Sequence, residues 1–128
     1  MVSEHEEPDQ VAPVGLTVAQ MAKATGVSGH TLRYYERAGL IHPITRTNGG
    51  QRRYQPADIE WMRLLVRLRE SGMPIAQLRV YAALRAGGDA TLSEQLGLLT
   101  EHRKTVRRQI RRLRDHERAL NAWIENHQ

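Results

Sequence analysis

The last third of the chain carries apolar residues that recur alternately every four and every three positions. The recurrence runs from Leu92 to Ile124, which is a coiled-coil heptad sustained for more than four repeats. A single helix of this length, roughly 50 Å, would leave its apolar seam in water. The pattern therefore predicts a dimerisation helix over residues 91–125, and its apolar seam residues are Leu92, Leu96, Leu99, Val106, Ile110, Leu113, Leu120 and Ile124.

In an antiparallel pair of these helices, each a position of the heptad faces a d position. Residues whose numbers sum to 216 then face each other, and the pairs include Leu96 with Leu120, Val106 with Ile110, and Leu92 with Ile124. Two seam positions are polar, Arg103 and Glu117. Arg103 would face Leu113 of the partner subunit, one turn from the partner subunit's Glu117, so an ion pair could fix the register. The alternative is that both side chains extend into solvent.

Two short helices are predicted near the start of the chain. Thr17 and Gln20 have the capping-box spacing that starts a helix, and Gly26 supplies a residue that can leave a helix with positive φ. Ser28 is the next N-cap candidate. Two helices joined by such a short turn form a helix-turn-helix, here over about residues 17–37, whose second helix enters the major groove of DNA.

The second of these helices has one apolar and one polar face. Leu32 and Tyr35 follow Ser28 at the spacing of a buried stripe. The outward-facing side chains are then His30, Thr31, Arg33, Tyr34 and Arg37. Since the N-terminal part of such a helix lies nearest the base edges, His30, Thr31 and Arg33 are the candidates for reading bases.

A small hairpin is predicted over about residues 44–54. Its centre, Asn48-Gly49, is the favoured dipeptide of a two-residue type I′ turn. A two-stranded ribbon is only marginally stable by itself, so it should lean on the helices. It would offer four side chains to an anionic partner such as a phosphate backbone: Arg46, Arg52, Arg53 and Tyr54.

At these residues the chain resembles the MerR family of bacterial transcription regulators. The similar blocks are Thr31 to Glu36 (TLRYYE), Gly39 to Ile41 (GLI), Arg46 to Tyr54 (R-x-x-x-G-x-R-x-Y), Asp58-Ile59 and Gly72 to Leu78. They cover about residues 16–85, and their order is more specific than any one block. The chain departs from the family pattern at Gln51, where an aromatic residue is frequent, at Pro74, where Ser or Thr is usual, and in having no cysteine.

The resemblance implies a mostly α fold with a winged helix-turn-helix head of four helices and a β-hairpin wing, followed by a long antiparallel coiled-coil helix. It further implies that Thr31, Arg33 and Tyr34 contact DNA, that Arg46, Arg52 and Tyr54 belong to a first wing, and that residues 72–75 form a second wing. With the residues from the helix-turn-helix pattern, the expected DNA-binding set is Thr17, Ser28, His30, Thr31, Arg33, Tyr34, Arg37, Arg46, Arg52, Arg53 and Tyr54.

The function that the resemblance implies is regulation of transcription by a homodimer. The dimer would bind a palindromic operator between promoter elements, bend and untwist the DNA, and act on RNA polymerase at that promoter. Two other classes of protein remain open from the residues alone. One is a winged-helix architectural or recombination directionality factor, and the other is a coiled-coil protein-interaction module.

Two further helices should complete the head, which we expect to span residues 15–86. Pro56 suits the first turn of a helix whose buried face includes Ile59, Trp61, Met62 and Leu65. Ser71-Gly72 ends this helix and Pro74 can start the next. The fourth helix carries Ile75, Leu78, Tyr81 and Leu84 at apolar spacing and stops at Gly87-Gly88.

Charge divides the chain into an acidic start and a basic remainder. Residues 1–14 carry four acidic groups and no Lys or Arg, which predicts a disordered acidic tail and not an export leader. Residues 15–128 carry 19 basic and 10 acidic residues, a formal charge of +9, which favours an anionic partner. No apolar run is long enough to span a membrane, so we expect a cytoplasmic protein.

The long helix also carries a dense group of basic residues. They are Arg103, Lys104, Arg107, Arg108, Arg111, Arg112 and Arg114. A solvated helix face is the common meaning of such a run. An acidic ligand or a DNA flank is the alternative.

Nothing in the sequence predicts a cofactor, a metal or catalysis. The chain has no cysteine, which excludes thiolate metal sites and thiol sensors in their usual form. Its six histidines show no close metal-ligand spacing, and no phosphate-binding glycine loop or nucleophile motif is present. A signal would have to act at the dimer seam or around Trp123, if there is one. Trp61 and Trp123 are both expected to pack as core anchors, Trp123 against the head of the partner subunit.

Overall fold

The computed structural model describes residues 15–43, 45–46 and 52–128, and this part of the chain is mostly helical. The elements in chain order are α1 (Val18–Thr25), α2 (Gly29–Arg37), β1 (Thr45–Arg46), β2 (Arg52–Arg53), α3 (Ala57–Glu70), α4 (Ile75–Ala86), a 3-10 turn (Gly88–Thr91) and α5 (Leu92–Asn126). The five helices predicted from the sequence are confirmed. The acidic tail over residues 1–14 and the Asn48-Gly49 turn lie outside the described residues.

The chain groups into two compact units that divide within α3, between Arg67 and Leu68. The first unit contains α1, α2, β1, β2 and most of α3, and the second contains the end of α3, α4 and α5. The sequence places the end of the head later, at about residue 86. That boundary, and the one at residue 91, stay predictions.

The buried side chains of the first unit come from α1, α2 and α3 and from the segments that flank α2 and β2. They are Met21, Leu32, Tyr35, Leu40, Ile41, Tyr54, Trp61, Met62 and Leu65. The expected core roles of Leu32, Tyr35, Trp61, Met62 and Leu65 are confirmed. The indole of Trp61 also makes a specific contact, because its Nε1 donates a hydrogen bond to the carbonyl oxygen of Leu40 at 2.7 Å. This bond ties α3 to the chain that leaves α2.

The Trp61 bond gives a stability prediction. Replacing Trp61 by Phe keeps an aromatic ring but removes the donor, so the buried Leu40 carbonyl loses its hydrogen bond at a cost of about 1–3 kcal/mol. Urea unfolding followed by circular dichroism should show a lower midpoint with an unchanged slope. The control is Trp123→Phe, since Trp123 is 63% exposed. Equal midpoints for the two variants would contradict the assigned role of the bond.

In the second unit, the turn between α3 and α4 is fixed by backbone geometry. Gly72 adopts a φ of +105°, and an added Cβ would lie 3.1 Å from Nε2 of Gln109. Met73 follows with a fully buried side chain, and its amide donates to the carbonyl oxygen of Leu68 at 2.9 Å. Pro74 then occupies the N-cap of α4 without a side-chain hydrogen bond, so the departure from a capping Ser or Thr costs this helix its cap.

The junction between α4 and α5 contains a polar cluster that the sequence does not suggest. The Thr91 hydroxyl donates to the carbonyl oxygen of Leu84. The Gln95 amide, 8% exposed, donates to the carbonyl oxygens of Gly88 at 3.0 Å and Leu84 at 3.2 Å. The last carbonyls of a helix have no partner within it, and these side chains supply partners at the end of α4. The turn at Gly87-Gly88 is therefore held by side-chain hydrogen bonds.

The long helix α5 has 35 residues and leaves most of its apolar seam uncovered within one chain. Leu113 is 67% exposed, Leu120 58% and Ile124 55%. Trp123 is exposed as well, and its ring contacts His127 edge to face at 4.0 Å. It is therefore no core residue of a single chain, and its expected packing against a partner stays a prediction. No helix in the described part of the chain is long and apolar enough to cross a membrane.

Candidate nucleic-acid interface

Helix α1 starts with the predicted capping box. The Thr17 hydroxyl accepts from the Gln20 amide at 3.0 Å, and the Gln20 side chain accepts from the Thr17 amide at 2.9 Å. Thr17 lies at the start of α1, half-buried, so its hydroxyl oxygen already has a structural use. Any contact with DNA would come in addition to this cap.

The turn between α1 and α2 also follows the sequence prediction. Gly26 ends α1 with a φ of 78°, and its amide donates to the carbonyl oxygen of Ala22 at 2.8 Å. Ser28 caps α2, since its hydroxyl oxygen accepts from the Thr31 amide at 3.0 Å. The same hydroxyl donates to the Thr31 hydroxyl at 3.1 Å. Ser28 and Thr31 together therefore fix the first turn of α2, where the backbone dipole favours an anion.

Helix α2 separates its buried and exposed side chains as predicted. Leu32 is fully buried and Tyr35 is 5% exposed, so they hold the helix against the rest of the first unit. The polar residues lie on the outer face, where His30, Arg33, Tyr34 and Arg37 are exposed and Thr31 is half-buried. The Tyr34 ring contacts the Tyr35 ring edge to face at 5.5 Å. This contact leaves the Tyr34 side chain 45% exposed beside the arginines.

A short antiparallel ribbon follows α2. Thr45 pairs with Arg53 and Arg46 with Arg52. The ribbon is anchored by a further bridge, in which Leu16 and Tyr54 exchange backbone hydrogen bonds of 2.7 and 2.9 Å. The segment that leads into α1 is therefore joined to the residue that follows β2. The connection over residues 47–51 lies outside the described residues.

Tyr54 is a correction to the predicted set of DNA contacts. Its side chain is fully buried, so it cannot reach a phosphate and belongs to the core of the first unit. Successive side chains of a strand point to opposite faces, and the neighbouring Arg53 is accordingly half-exposed. Within the described residues, Nε of Arg53 is buried without a hydrogen-bond partner. Arg53 remains a candidate contact, with Tyr54 as its anchor.

Sequence reasoning missed Arg63, which stabilises the helix-turn-helix. Its guanidinium donates to the carbonyl oxygen of Ala24 at 3.0 Å and to Glu60 at 3.0 Å. A cation that donates to the last carbonyls of a helix also complements the helix dipole. The Glu60–Arg63 spacing is a recognisable i, i+3 pair. The contact with Ala24, 39 residues away, has no signal in the sequence.

Two family profiles match this chain. The profile described as MerR HTH family regulatory protein matches residues 16–84. The profile described as MerR, DNA binding matches residues 59–123. Together they cover both helices of the helix-turn-helix, the ribbon, α3, α4 and most of α5.

Individual proteins agree with the profiles. The HTH-type transcriptional regulator AdhR of Bacillus subtilis is 37% identical over 91 residues, which are 71% of this chain and 65% of AdhR. The chain thus spans just under two thirds of that relative. A MerR family transcriptional regulator of Listeria monocytogenes has a crystal structure with a TM-score of 0.79, 33% identity and coverage of 88% of this chain and 86% of that one.

A third similarity is to a protein solved with DNA. HiNmlR is described as a MerR family regulator lacking the sensor domain, bound to promoter DNA. Its structure has a TM-score of 0.74 and 32% sequence identity, and the match covers 84% of this chain and 86% of that one.

Proposed function

Because this chain belongs to the MerR family of DNA-binding transcription regulators, we propose that it binds a two-fold symmetric operator in promoter DNA as a homodimer. The observation that carries the proposal is the exposed polar face of α2, set on the buried Leu32 and Tyr35. The family match does not favour an architectural or recombination factor. No enzymatic activity is part of the family's role.

In this proposal, different residues bind phosphates and bases. Thr31 and Arg33 read base edges, with His30 beside them, because arginine can donate two hydrogen bonds to a guanine in the major groove. Tyr34, Arg37 and the ribbon residues Arg46, Arg52 and Arg53 contact the sugar-phosphate backbone and position the head. Thr17 and Ser28 hold the starts of α1 and α2, whose free amides favour a phosphate.

The effect on transcription is proposed from the relatives. HiNmlR is described as bound to promoter DNA, and its similar fold supports the proposal that this chain binds promoter DNA. We propose that the ribbon is the first wing, that residues 72–75 form the second, and that the bound dimer distorts the promoter so that RNA polymerase can use it. The contacts of the wings would repay the cost of bending the duplex.

The dimer is proposed to form through α5. Leu92, Leu96, Ile110, Leu113, Leu120 and Ile124 are exposed in the single chain, and such a row of apolar side chains on one helix marks an interface. The antiparallel register that sums to 216 would bury them in pairs. Arg103 and Glu117 of the partner subunit would then lie within reach of each other and define that register.

Selection from genomic DNA tests this function. Purified protein is incubated with sheared genomic DNA, and the bound fragments are recovered and sequenced. The proposal expects fragments that share a palindrome inside the spacer of a promoter. Recovered fragments without a common symmetric site, or an absence of enrichment at low salt, would contradict it.

A further inference from the structure

The middle of α5 carries a cationic surface that operator binding by the heads does not use. It consists of Lys104, Arg108, Arg111 and Arg112, which we call the outer basic face. All four side chains are exposed. They occupy b, c and f positions of the heptad, outside the a and d seam. The half-buried residues of this stretch, such as His102 and Gln109, lie on another side of the helix, so the outer basic face takes no part in the packing of the described residues.

The described residues leave most of this charge unneutralised. Lys104 forms an ion pair with Glu101 at 3.0 Å, and Arg108 donates to the Thr105 hydroxyl at 3.0 Å. Arg111 and Arg112 form no ion pair with any described residue. Further along the helix, by contrast, Arg118 is paired with Asp115 at 2.6 Å. A helix face that serves only solubility usually mixes both signs of charge, and α5 carries no acidic residue between Glu101 and Asp115.

The proposed dimer would carry two such faces at one level. In the register that sums to 216, the two-fold axis passes at residue 108, which belongs to the outer basic face itself. The faces of both subunits would therefore lie at the centre of the coiled coil, and both would point away from the seam because b, c and f positions face outward. This step depends on the antiparallel homodimer of the proposed function.

The residue types specify the anion. Three of the four residues are arginines, whose planar guanidinium matches phosphate with two parallel hydrogen bonds. Binding of single-stranded nucleic acid also needs aromatic side chains on which bases stack, and no Phe, Trp or Tyr occurs between Tyr81 and Trp123. We propose that the outer basic face binds the phosphate backbone of duplex DNA outside the operator. A dimer on its operator would thereby hold a flank or a second DNA segment.

The test compares a triple variant, Arg108→Gln with Arg111→Gln and Arg112→Gln, with the unchanged protein. Operator duplex on beads is loaded with protein, and a fluorescent duplex of unrelated sequence is added in 50 mM salt. The unchanged protein should capture the second duplex, or bind an operator with long flanks at least about 10-fold more tightly than a minimal operator. Capture identifies a second segment as the ligand, and the length effect identifies a flank.

Either effect should disappear in the triple variant while the affinity for the minimal operator stays within about two-fold. If roughly four phosphates are neutralised, the affinity from these contacts weakens about 100-fold between 50 and 200 mM salt, so the effect should be absent at 200 mM. A matched pair sharpens the test, since Arg111 and Arg118 occupy the same heptad position and only Arg118 is paired with an acid. Arg111→Gln should weaken the effect more than Arg118→Gln.

Three results separate the possible failures. Normal operator binding with neither capture nor a length effect would overturn this inference alone, and would point to an acidic protein or to solvent as the neighbour of the face. An undiminished effect in a triple variant that is still dimeric by light scattering would overturn it too. Loss of operator binding by the unchanged protein would instead contradict the proposed function.

Discussion

Arg33→Ala is expected to lower operator affinity roughly 10- to 100-fold while the protein remains folded. Arg33 lies on the exposed face of α2, one turn after the cap formed by Ser28. A bidentate contact of arginine with a base contributes about 1–3 kcal/mol of discrimination. Fluorescence anisotropy with the operator and with a scrambled duplex measures the specific and the non-specific affinity. The loss of affinity should be larger for the operator.

The control for Arg33 is Arg118→Ala, which removes the same charge from an exposed position far along α5. Its ion pair with Asp115 lies at the surface, with side chains 69% and 70% exposed, and such pairs contribute little. Operator affinity should change less than about three-fold. Equal losses for the two variants would mean that Arg33 acts only through net charge and does not read a base.

Leu113→Arg is expected to weaken the dimer by roughly 100-fold or more. Leu113 is the most exposed apolar seam residue of α5, at 67%, so its surface is available for a partner. Both subunits would lose about 1–2 kcal/mol of apolar burial. In the proposed register, each new arginine would also face Arg103 of the partner subunit. Sedimentation equilibrium measures the dissociation constant, and operator affinity should fall in parallel, since two half-sites then bind separately.

The matched control is Ala119→Arg, which adds the same side chain to the exposed side of α5 outside the seam. The dimer should be almost unaffected. An unchanged dimer in Leu113→Arg, or equal weakening in both variants, would contradict the heptad seam as the interface.

Local signals in the sequence were sufficient to predict the helices. The capping box at Thr17, the cap at Ser28 and the positive φ of Gly26 are each set by residues within three or four positions. The same holds for the buried stripe of Leu32 and Tyr35, because helical periodicity alone decides which face is apolar. The outer face of α2 therefore follows from the sequence before any tertiary contact is known.

Contacts between distant residues could not be predicted in this way. The Tyr54 hydroxyl suggests a phosphate contact. In the structure, however, the Tyr54 backbone pairs with Leu16 and the Tyr54 side chain is fully buried. Arg63 and Gln95 appear as ordinary helix-surface residues, and each donates to the carbonyl of a neighbouring segment. A helix carbonyl without a partner attracts whichever donor the tertiary structure brings near it. That partner is not encoded in local spacing.

Hydroxyl-radical footprinting on the strongest recovered promoter fragment tests the central claim most directly. A symmetric dimer that reads DNA through α2 and the ribbon predicts two protected half-sites related by a two-fold axis inside the promoter spacer, and both should disappear together in Leu113→Arg. A single protected half-site with the unchanged protein, or uniform protection along the fragment, would contradict the account.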